Sequence, residues 1–172
     1  MKNFIKYFQY NPETRIVMVT GTGGKTTTTG MLAQLIESEG KTVCTNAIGA
    51  NMERGVATAL IRSANKSGVI ECDYVILEVD ERYLPIVSQK ITPHIILVTN
   101  VLKDQSQRNG EPGLIMQKIS SAIKKDVHLI LNGDEPNASS LGMGKPSVSY
   151  YGVAGEKDEE RDLNEFTVNC SC

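Results

Sequence analysis

Arg15-Ile16-Val17-Met18-Val19-Thr20-Gly21-Thr22-Gly23-Gly24-Lys25-Thr26-Thr27 is the stretch whose reading decides the fold. Its first half is apolar and β-branched, which predicts a buried strand. Its second half is a glycine-rich turn ending in Lys-Thr, ahead of residues with helical spacing. A strand entering a helix through such a turn is a phosphate-binding loop. Gly21, Gly23 and Gly24 let backbone N–H groups converge on an anion without interference from a Cβ, and the helix turns its positive end toward the same anion. In this pattern Lys25 reaches the β- and γ-phosphates and the Thr26 hydroxyl ligates Mg²⁺, so ATP with Mg²⁺ is the expected ligand. The common form G-x-x-x-x-G-K-[ST] asks for glycine where this chain has Val19, so the loop is a variant. A tight connector that binds nothing is the competing reading, and the attached Lys25-Thr26 pair argues against it.

Outward from the loop, strand-like runs recur at 15–20, 42–45, 74–79, 94–99 and 127–131, separated by helical patterns. Met31, Leu32, Leu35 and Ile36 mark the first helix, which Gly40 ends. Val56, Ala59, Leu60 and Ala64 mark a second; Leu114, Ile115, Lys118, Ile119, Ala122 and Ile123 mark a third. Val75-Ile76-Leu77 and Ile95-Ile96-Leu97-Val98 are continuous apolar runs, as strands covered on both faces require. The expected fold is therefore α/β, a mostly parallel sheet flanked by helices.

Ligands of such sheets gather beyond the carboxyl ends of the strands. There the chain places Glu78, Asp80 and Glu81 after one run, Thr99 and Asn100 after another, and Asn132, Asp134 and Glu135 after a third. Glu78 and Asp80 share a side if their strand continues through them, and Glu78 is the better placed to hold Mg²⁺ beside Thr26. Asp134 is expected to cap a helix starting at Pro136. An amide at Asn132 and a carboxylate at Asp134 suit an adenine edge and a ribose hydroxyl, although an ordinary turn accounts for them equally well.

The 172 residues suffice for one main domain, and a net charge of −2 with a pI near 5.7 supplies no basic field for nucleic acid. No stretch approaches the roughly 20 apolar residues of a membrane span, and no signal-peptide pattern opens the chain, so a cytoplasmic protein that is not integral to a membrane is expected. Met1 to Tyr10 is read as a helix packed on its own domain rather than on a membrane surface. Cys44 and Cys72 read as reduced, buried thiols, and His94 and His128 as structural. The organisation expected is an N-terminal segment at 1–14, an ATP-binding domain at 15–152, and a connector at 153–172. The connector carries the run Glu156-Lys157-Asp158-Glu159-Glu160-Arg161-Asp162 and ends in Cys170-Ser171-Cys172.

Together these motifs resemble the Mur ligase family. Gly21-Thr22-Gly23-Gly24-Lys25-Thr26-Thr27 is similar to its phosphate loop, which usually has Asn at the position of Gly23. Thr45-Asn46-Ala47-Ile48-Gly49-Ala50-Asn51-Met52, Leu77-Glu78-Val79-Asp80-Glu81, Thr99-Asn100-Val101-Leu102-Lys103-Asp104-Gln105 and Leu131-Asn132-Gly133-Asp134-Glu135-Pro136 resemble, more narrowly, its MurT branch, subunits of lipid II isoglutaminyl synthase. The resemblance implies a Mur ligase central domain that phosphorylates a carboxylate with ATP and passes the acyl phosphate to a nitrogen nucleophile. In that branch the carboxylate is the α-carboxyl of D-glutamate in lipid II, and ammonia comes from a GatD-type glutaminase. By motif, Lys25 and Glu78 are catalytic, Gly21, Thr22, Gly23, Gly24, Lys25, Thr26, Thr27, Asn132 and Asp134 bind the nucleotide, and Thr26 and Glu78 hold Mg²⁺.

Gln105 stands where amino-acid-adding relatives have a histidine, which removes a histidine-ligated second metal from the expectation. Lys118 lies near the place of a carbamylated lysine, and its helical spacing reads as a plain surface lysine. The resemblance also implies a four-cysteine zinc ribbon after this region. Cys170 and Cys172 are its candidate ligands, spaced C-x-C rather than C-x-x-C and supplying two of the four that Zn²⁺ needs. The chain is accordingly expected to be a fragment truncated at the start of that ribbon, with Zn²⁺ possible only in a longer chain. Three further readings stay open: a folylpolyglutamate synthase-like ligase of the same superfamily, a catalytically silent nucleotide-binding fragment, and a scaffold with a degenerate loop.

Overall fold

Period-two alternation in the strand at 15–20 sets up two layers, because Ile16 and Met18 face one side of the sheet while Val17 and Val19 face the other. The computed structural model describes residues 8–46, 51–102 and 112–153. In chain order these form β1 (Gln9–Tyr10), β2 (Arg15–Thr20), α1 (Lys25–Ser38), β3 (Val43–Thr45), α2 (Glu53–Ser63), β4 (Val69–Ile70), β5 (Tyr74–Glu78), α3 (Leu84–Ser88), β6 (Ile95–Val98), α4 (Pro112–Ala122), β7 (His128–Asn132), α5 (Pro136–Ser140) and β8 (Val148–Tyr151). The order β3-β5-β2-β6-β7-β8 makes a 6-stranded sheet, and β1 with β4 makes a 2-stranded one. Every pairing between these strands is parallel, and an isolated antiparallel bridge joins Ala64 to Ile70. The α/β parallel architecture read from the sequence is the one observed.

On one face, Val17, Val19, Ile76 and Leu97 pack under α1 through Ala33, Leu32 and Ile36. On the other, Met18, Leu77, Ile96 and Leu129 pack with Val56 and Leu60 of α2, Leu84 and Val87 of α3, Ile115 and Ile119 of α4, and Ala138 of α5. Met18, Ile76, Leu77 and Ile96 are fully buried, which is what made β2, β5 and β6 legible as uninterrupted apolar runs. Gly40, at φ +76°, ends α1 by donating its N–H to the Glu37 carbonyl.

Three expectations are corrected. Residues 1–7 of the expected N-terminal helix lie outside the described residues, but Gln9–Tyr10 is a strand paired with Val69–Ile70, with Phe8 and Tyr10 packed on the core. On α1, Met31 and Leu35 are exposed, and the inward stripe is Thr29, Leu32, Ala33 and Ile36. The polar Thr29 hid that i, i+3, i+4, i+7 pattern. Asp134 does not cap α5: Glu135 does, accepting from the Asn137 and Ala138 N–H groups at 3.0 and 2.8 Å. The Asp134 carboxylate instead accepts from the Val153 N–H at 2.7 Å.

Cys44 is buried and Cys72 half-buried, both free thiols. Cys44 Sγ donates to the Ala59 carbonyl at 4.0 Å; interaction with the neighbouring Cys72 thiol holds the Cys44 thiol below its usual range against the upward push of burial, while Cys44 and burial push Cys72 up. His94 accepts from the Ile16 N–H at 3.0 Å, and His128 lies between the Ser147 and Ser149 hydroxyls. Among the described residues no helix is long and apolar enough to cross a membrane.

Candidate nucleotide site

Strand β2 lies between β5 and β6, where successive connections leave the sheet in opposite directions, and the loop after it opens at that switch point. Two of the loop glycines are required by geometry. Gly21 has φ +132°, and a Cβ there would meet the Thr99 Oγ1 and, at 2.7 Å, the Asn100 carbonyl oxygen. Gly24 has φ +77° and turns the chain into α1. Gly23 has no such need: a Cβ would lie 3.8 Å from Asn100, an ordinary contact that accounts for Asn being usual at this position in the resembling loop.

The loop is braced from β6. Asn100 accepts from the Gly23 N–H at 2.8 Å through Oδ1 and from the Thr22 N–H at 3.0 Å through its carbonyl. The Thr99 hydroxyl donates to the Gly23 carbonyl at 2.7 Å, and the Thr22 hydroxyl accepts from the Leu102 N–H at 3.0 Å. Asn100 therefore engages two of the amides that a sequence reading assigns to the anion, and the open ones begin at the α1 N-terminus, which no side chain caps.

A cavity of about 290 Å³ follows, lined by Thr22, Gly23, Gly24, Lys25, Thr26, Thr27, Asn51 and Glu78. A second of the same volume, about 290 Å³, lies near the amino ends of β7 and β8 among Lys124, Lys125 and Lys145. Volume does not distinguish them, but only the first joins a helix N-terminus, a lysine and a buried carboxylate.

Glu78 is 4% exposed and is held twice. Asn46 brackets its backbone, accepting from the Glu78 N–H at 2.7 Å and donating to its carbonyl at 2.9 Å. Asn51 donates to Glu78 Oε1 at 3.1 Å. Asn46 and Asn51 thus aim the carboxylate, a role that needed the fold to be seen; residues 47–50 of the motif between them lie outside the described residues. Glu78 and Thr26, which both line this cavity, carry hard oxygen donors suited to Mg²⁺, which keeps several waters and needs few protein ligands. Among the described residues no group of three or more His, Cys, Asp or Glu gathers to hold a metal. Cys170, Cys172 and the Asp104-Gln105 motif lie outside the described residues.

Lys25 folds back on the loop, its Nζ donating to the Gly21 and Thr22 carbonyls at 2.6 and 3.3 Å and lying 3.5 Å from Glu81 Oε2. Asp80 does not share a wall with Glu78. The strand ends at Glu78, and Asp80 opens the turn into α3, where Arg82 grips it through Nε at 2.9 Å and Nη2 at 2.7 Å. Burial pushes the Asp80 carboxyl up, but the hydrogen bonds and charge of Arg82, with Lys25 beyond, outweigh that and hold it below the usual range.

Asn132, at the end of β7, donates to the Thr99 carbonyl at 2.9 Å and accepts from the Asp134 N–H at 3.0 Å. The structure thus ties Asn132 to the segment bracing the phosphate loop, while Asp134 binds the Val153 N–H at the end of β8. Lys118 is exposed on α4, in keeping with a surface lysine.

The Mur ligase middle domain matches residues 19–171. The lipid II isoglutaminyl synthase (glutamine-hydrolyzing) subunit MurT of Staphylococcus aureus (strain COL) is 31% identical over 160 residues, covering 90% of this chain and 36% of that protein. The subunit of the same name from Streptococcus pneumoniae is 35% identical over 159 residues, 91% of this chain and 35% of its own length. The chain thus spans about a third of these relatives. Among solved structures, MurF ligase from Thermotoga maritima in complex with ADP aligns with a TM-score of 0.64 at 20% identity, over 90% of this chain and 35% of that one. At that identity the likeness is one of fold.

Proposed function

The chain belongs to the Mur ligase family, whose middle domain it carries, and from that premise we propose that it is the ATP-binding part of a MurT-type ligase subunit of peptidoglycan synthesis. The observation that carries this reading is the cavity where Lys25, Thr26 and Glu78 converge at the head of α1. ATP lies with its phosphates on the α1 N-terminus. Lys25 turns from the loop carbonyls to the β- and γ-phosphates, and Thr26 and Glu78 hold Mg²⁺. Asn132 and Asp134 are the expected nucleoside contacts, which requires Asp134 to exchange its bond to Val153.

In the proposed reaction an oxygen of the D-glutamate α-carboxylate of lipid II attacks the γ-phosphorus of ATP and ADP departs. Ammonia from a GatD-type glutaminase then attacks the acyl phosphate carbon, expelling phosphate and leaving D-isoglutamine. Both partners of the first step are anions, so the site must offset their repulsion and stabilise charge on the migrating phosphoryl group. Bound Mg²⁺ supplies part of that offset, and Lys25 with the α1 amides supplies the rest.

Calorimetric titration with Mg-ATP tests the reading. Saturable binding is expected, weakened on the order of a hundredfold in Lys25→Ala, the cost of deleting one partner of a buried charge contact. Glu78→Ala is expected to lose mainly the Mg²⁺-dependent part. A folded chain that binds no Mg-ATP sinks the proposal and favours the scaffold reading. Binding without turnover by the chain alone, with turnover restored when the remaining MurT segments and the glutaminase are supplied, favours the silent fragment. Glutamate addition to folates would favour the folylpolyglutamate synthase-like alternative.

A further inference from the structure

We propose that Glu81 is a positioning residue that sets how strongly nucleotide binding depends on Mg²⁺, by competing with the phosphates for the Lys25 ammonium. The inference rests on the reading of this loop as an ATP site and adds to it a residue that no loop motif includes. The Glu81 side chain is 8% exposed and that of Lys25 12%. Glu81 Oε2 is buried and, among the described residues, accepts no hydrogen bond. Its compensation is the ammonium 3.5 Å away.

An ammonium has three protons. Two are directed at the Gly21 and Thr22 carbonyls, and the third side of the cation faces Glu81. A phosphate oxygen must therefore displace a partner Lys25 already has. If Lys25 turns away, Glu81 is left as a buried carboxylate without a counter-ion, which is costly. If Lys25 stays within reach of both, the carboxylate stands close to the incoming polyphosphate in a poorly solvated site, where like-charge repulsion is little screened. In either case metal-free nucleotide meets a penalty that a divalent cation bound to the phosphates offsets. Glu78 and Glu81 thus act in opposite senses: Glu78 recruits the metal, and Glu81 makes the metal necessary.

The test is calorimetric titration of the chain with ATP in excess Mg²⁺ and again in EDTA, for wild type and Glu81→Gln, with thermal melts followed by circular dichroism. Glutamine keeps the shape and removes the charge. Affinity for metal-free ATP is expected to rise on the order of tenfold, the scale of a single close charge pair, with a much smaller change for Mg-ATP. The ratio of the two affinities, which a merely structural role would not move, is the readout. An unchanged ratio, or a parallel loss of both affinities, overturns the proposal. If Glu81→Gln does not melt cooperatively, Glu81→Asp carries the test, since a shortened carboxylate should shift the ratio the same way by less. A wild-type chain that binds ATP under neither condition defeats the nucleotide-site reading itself, whereas wild-type binding with an unmoved ratio defeats this inference alone.

Discussion

At the amino ends of the large sheet, polar side chains are engaged by the fold, whereas at its carboxyl ends several keep unused capacity. His94 accepts from the Ile16 N–H, and Asp73 holds the Thr42 N–H and hydroxyl at 2.8 and 2.7 Å. At the other end, Thr20 Oγ1, Thr29 Oγ1 and Glu81 Oε2 are buried without a hydrogen-bond partner among the described residues, Glu81 having only the ion pair to Lys25. Buried polar atoms are normally satisfied, so these three exceptions set the carboxyl ends apart from the amino ends. Tyr10 is the exception away from that rim, a buried, unpartnered hydroxyl beside the small sheet. Burial and the neighbouring Cys44 and Cys72 raise its pKa.

The contrast breaks most visibly at Gly21. Gly21→Ala adds a Cβ against Thr99 and Asn100 in a backbone region that L-residues avoid, so a loss of about 1–3 kcal/mol is expected from strain alone. Urea melts should show that loss, and Mg-ATP affinity should fall with it. An alanine variant as stable as wild type would mean that the loop is not held as described. At the opposite end, His94→Ala removes the acceptor of the Ile16 N–H, and about 1 kcal/mol of stability should go. Here nucleotide affinity should stay within error, and a matching drop in affinity would show that the two ends are not independent.

A finer comparison uses pH. Asp73 and Asp80 sit at opposite ends, and both are held below the usual carboxylate range, Asp73 chiefly by the backbone and side-chain donors of Thr42. A lowered folded pKa stabilises fully above the unfolded value of about 3.9, and that contribution fades as pH falls through the folded value. Melts between about pH 6 and 2 should therefore show an acid limb. Asp80→Asn should flatten it more than Asp73→Asn, because water screens the exposed Asp73. Equal flattening would refute the assignment.

Much of the scaffold was legible because a parallel sheet buried on both faces writes itself as unbroken runs, as in Ile95–Val98. The phosphate loop was legible because its chemistry is local. β8 was not singled out, since Val148–Tyr151 is a short edge strand with exposed tyrosines and no apolar run. The helix cap went to Asp134 instead of Glu135 because side-chain type does not reveal which carboxylate the turn directs inward. Asn51 and Glu81 stood in recognised motifs, yet their roles depend on Glu78, from the end of β5, and Lys25, from the start of α1, arriving beside them.

The all-parallel pairing also bears on how the molecule is assembled in time. No strand of the large sheet can pair with its neighbour through a tight hairpin, because each parallel connection needs a crossover. β2 is made early, yet its register partners are Tyr74–Glu78 on one side and Ile95–Val98 on the other. The loop it leads into is fastened by Asn100, 77 residues beyond Gly23. During synthesis the residues that define the site therefore emerge first and take their working shape only after the β6 segment has followed. Until Tyr74–Glu78 has followed, the apolar run ahead of the loop has no partner strand in the large sheet, a delay built into the topology that exposes it to mispairing or to chaperones.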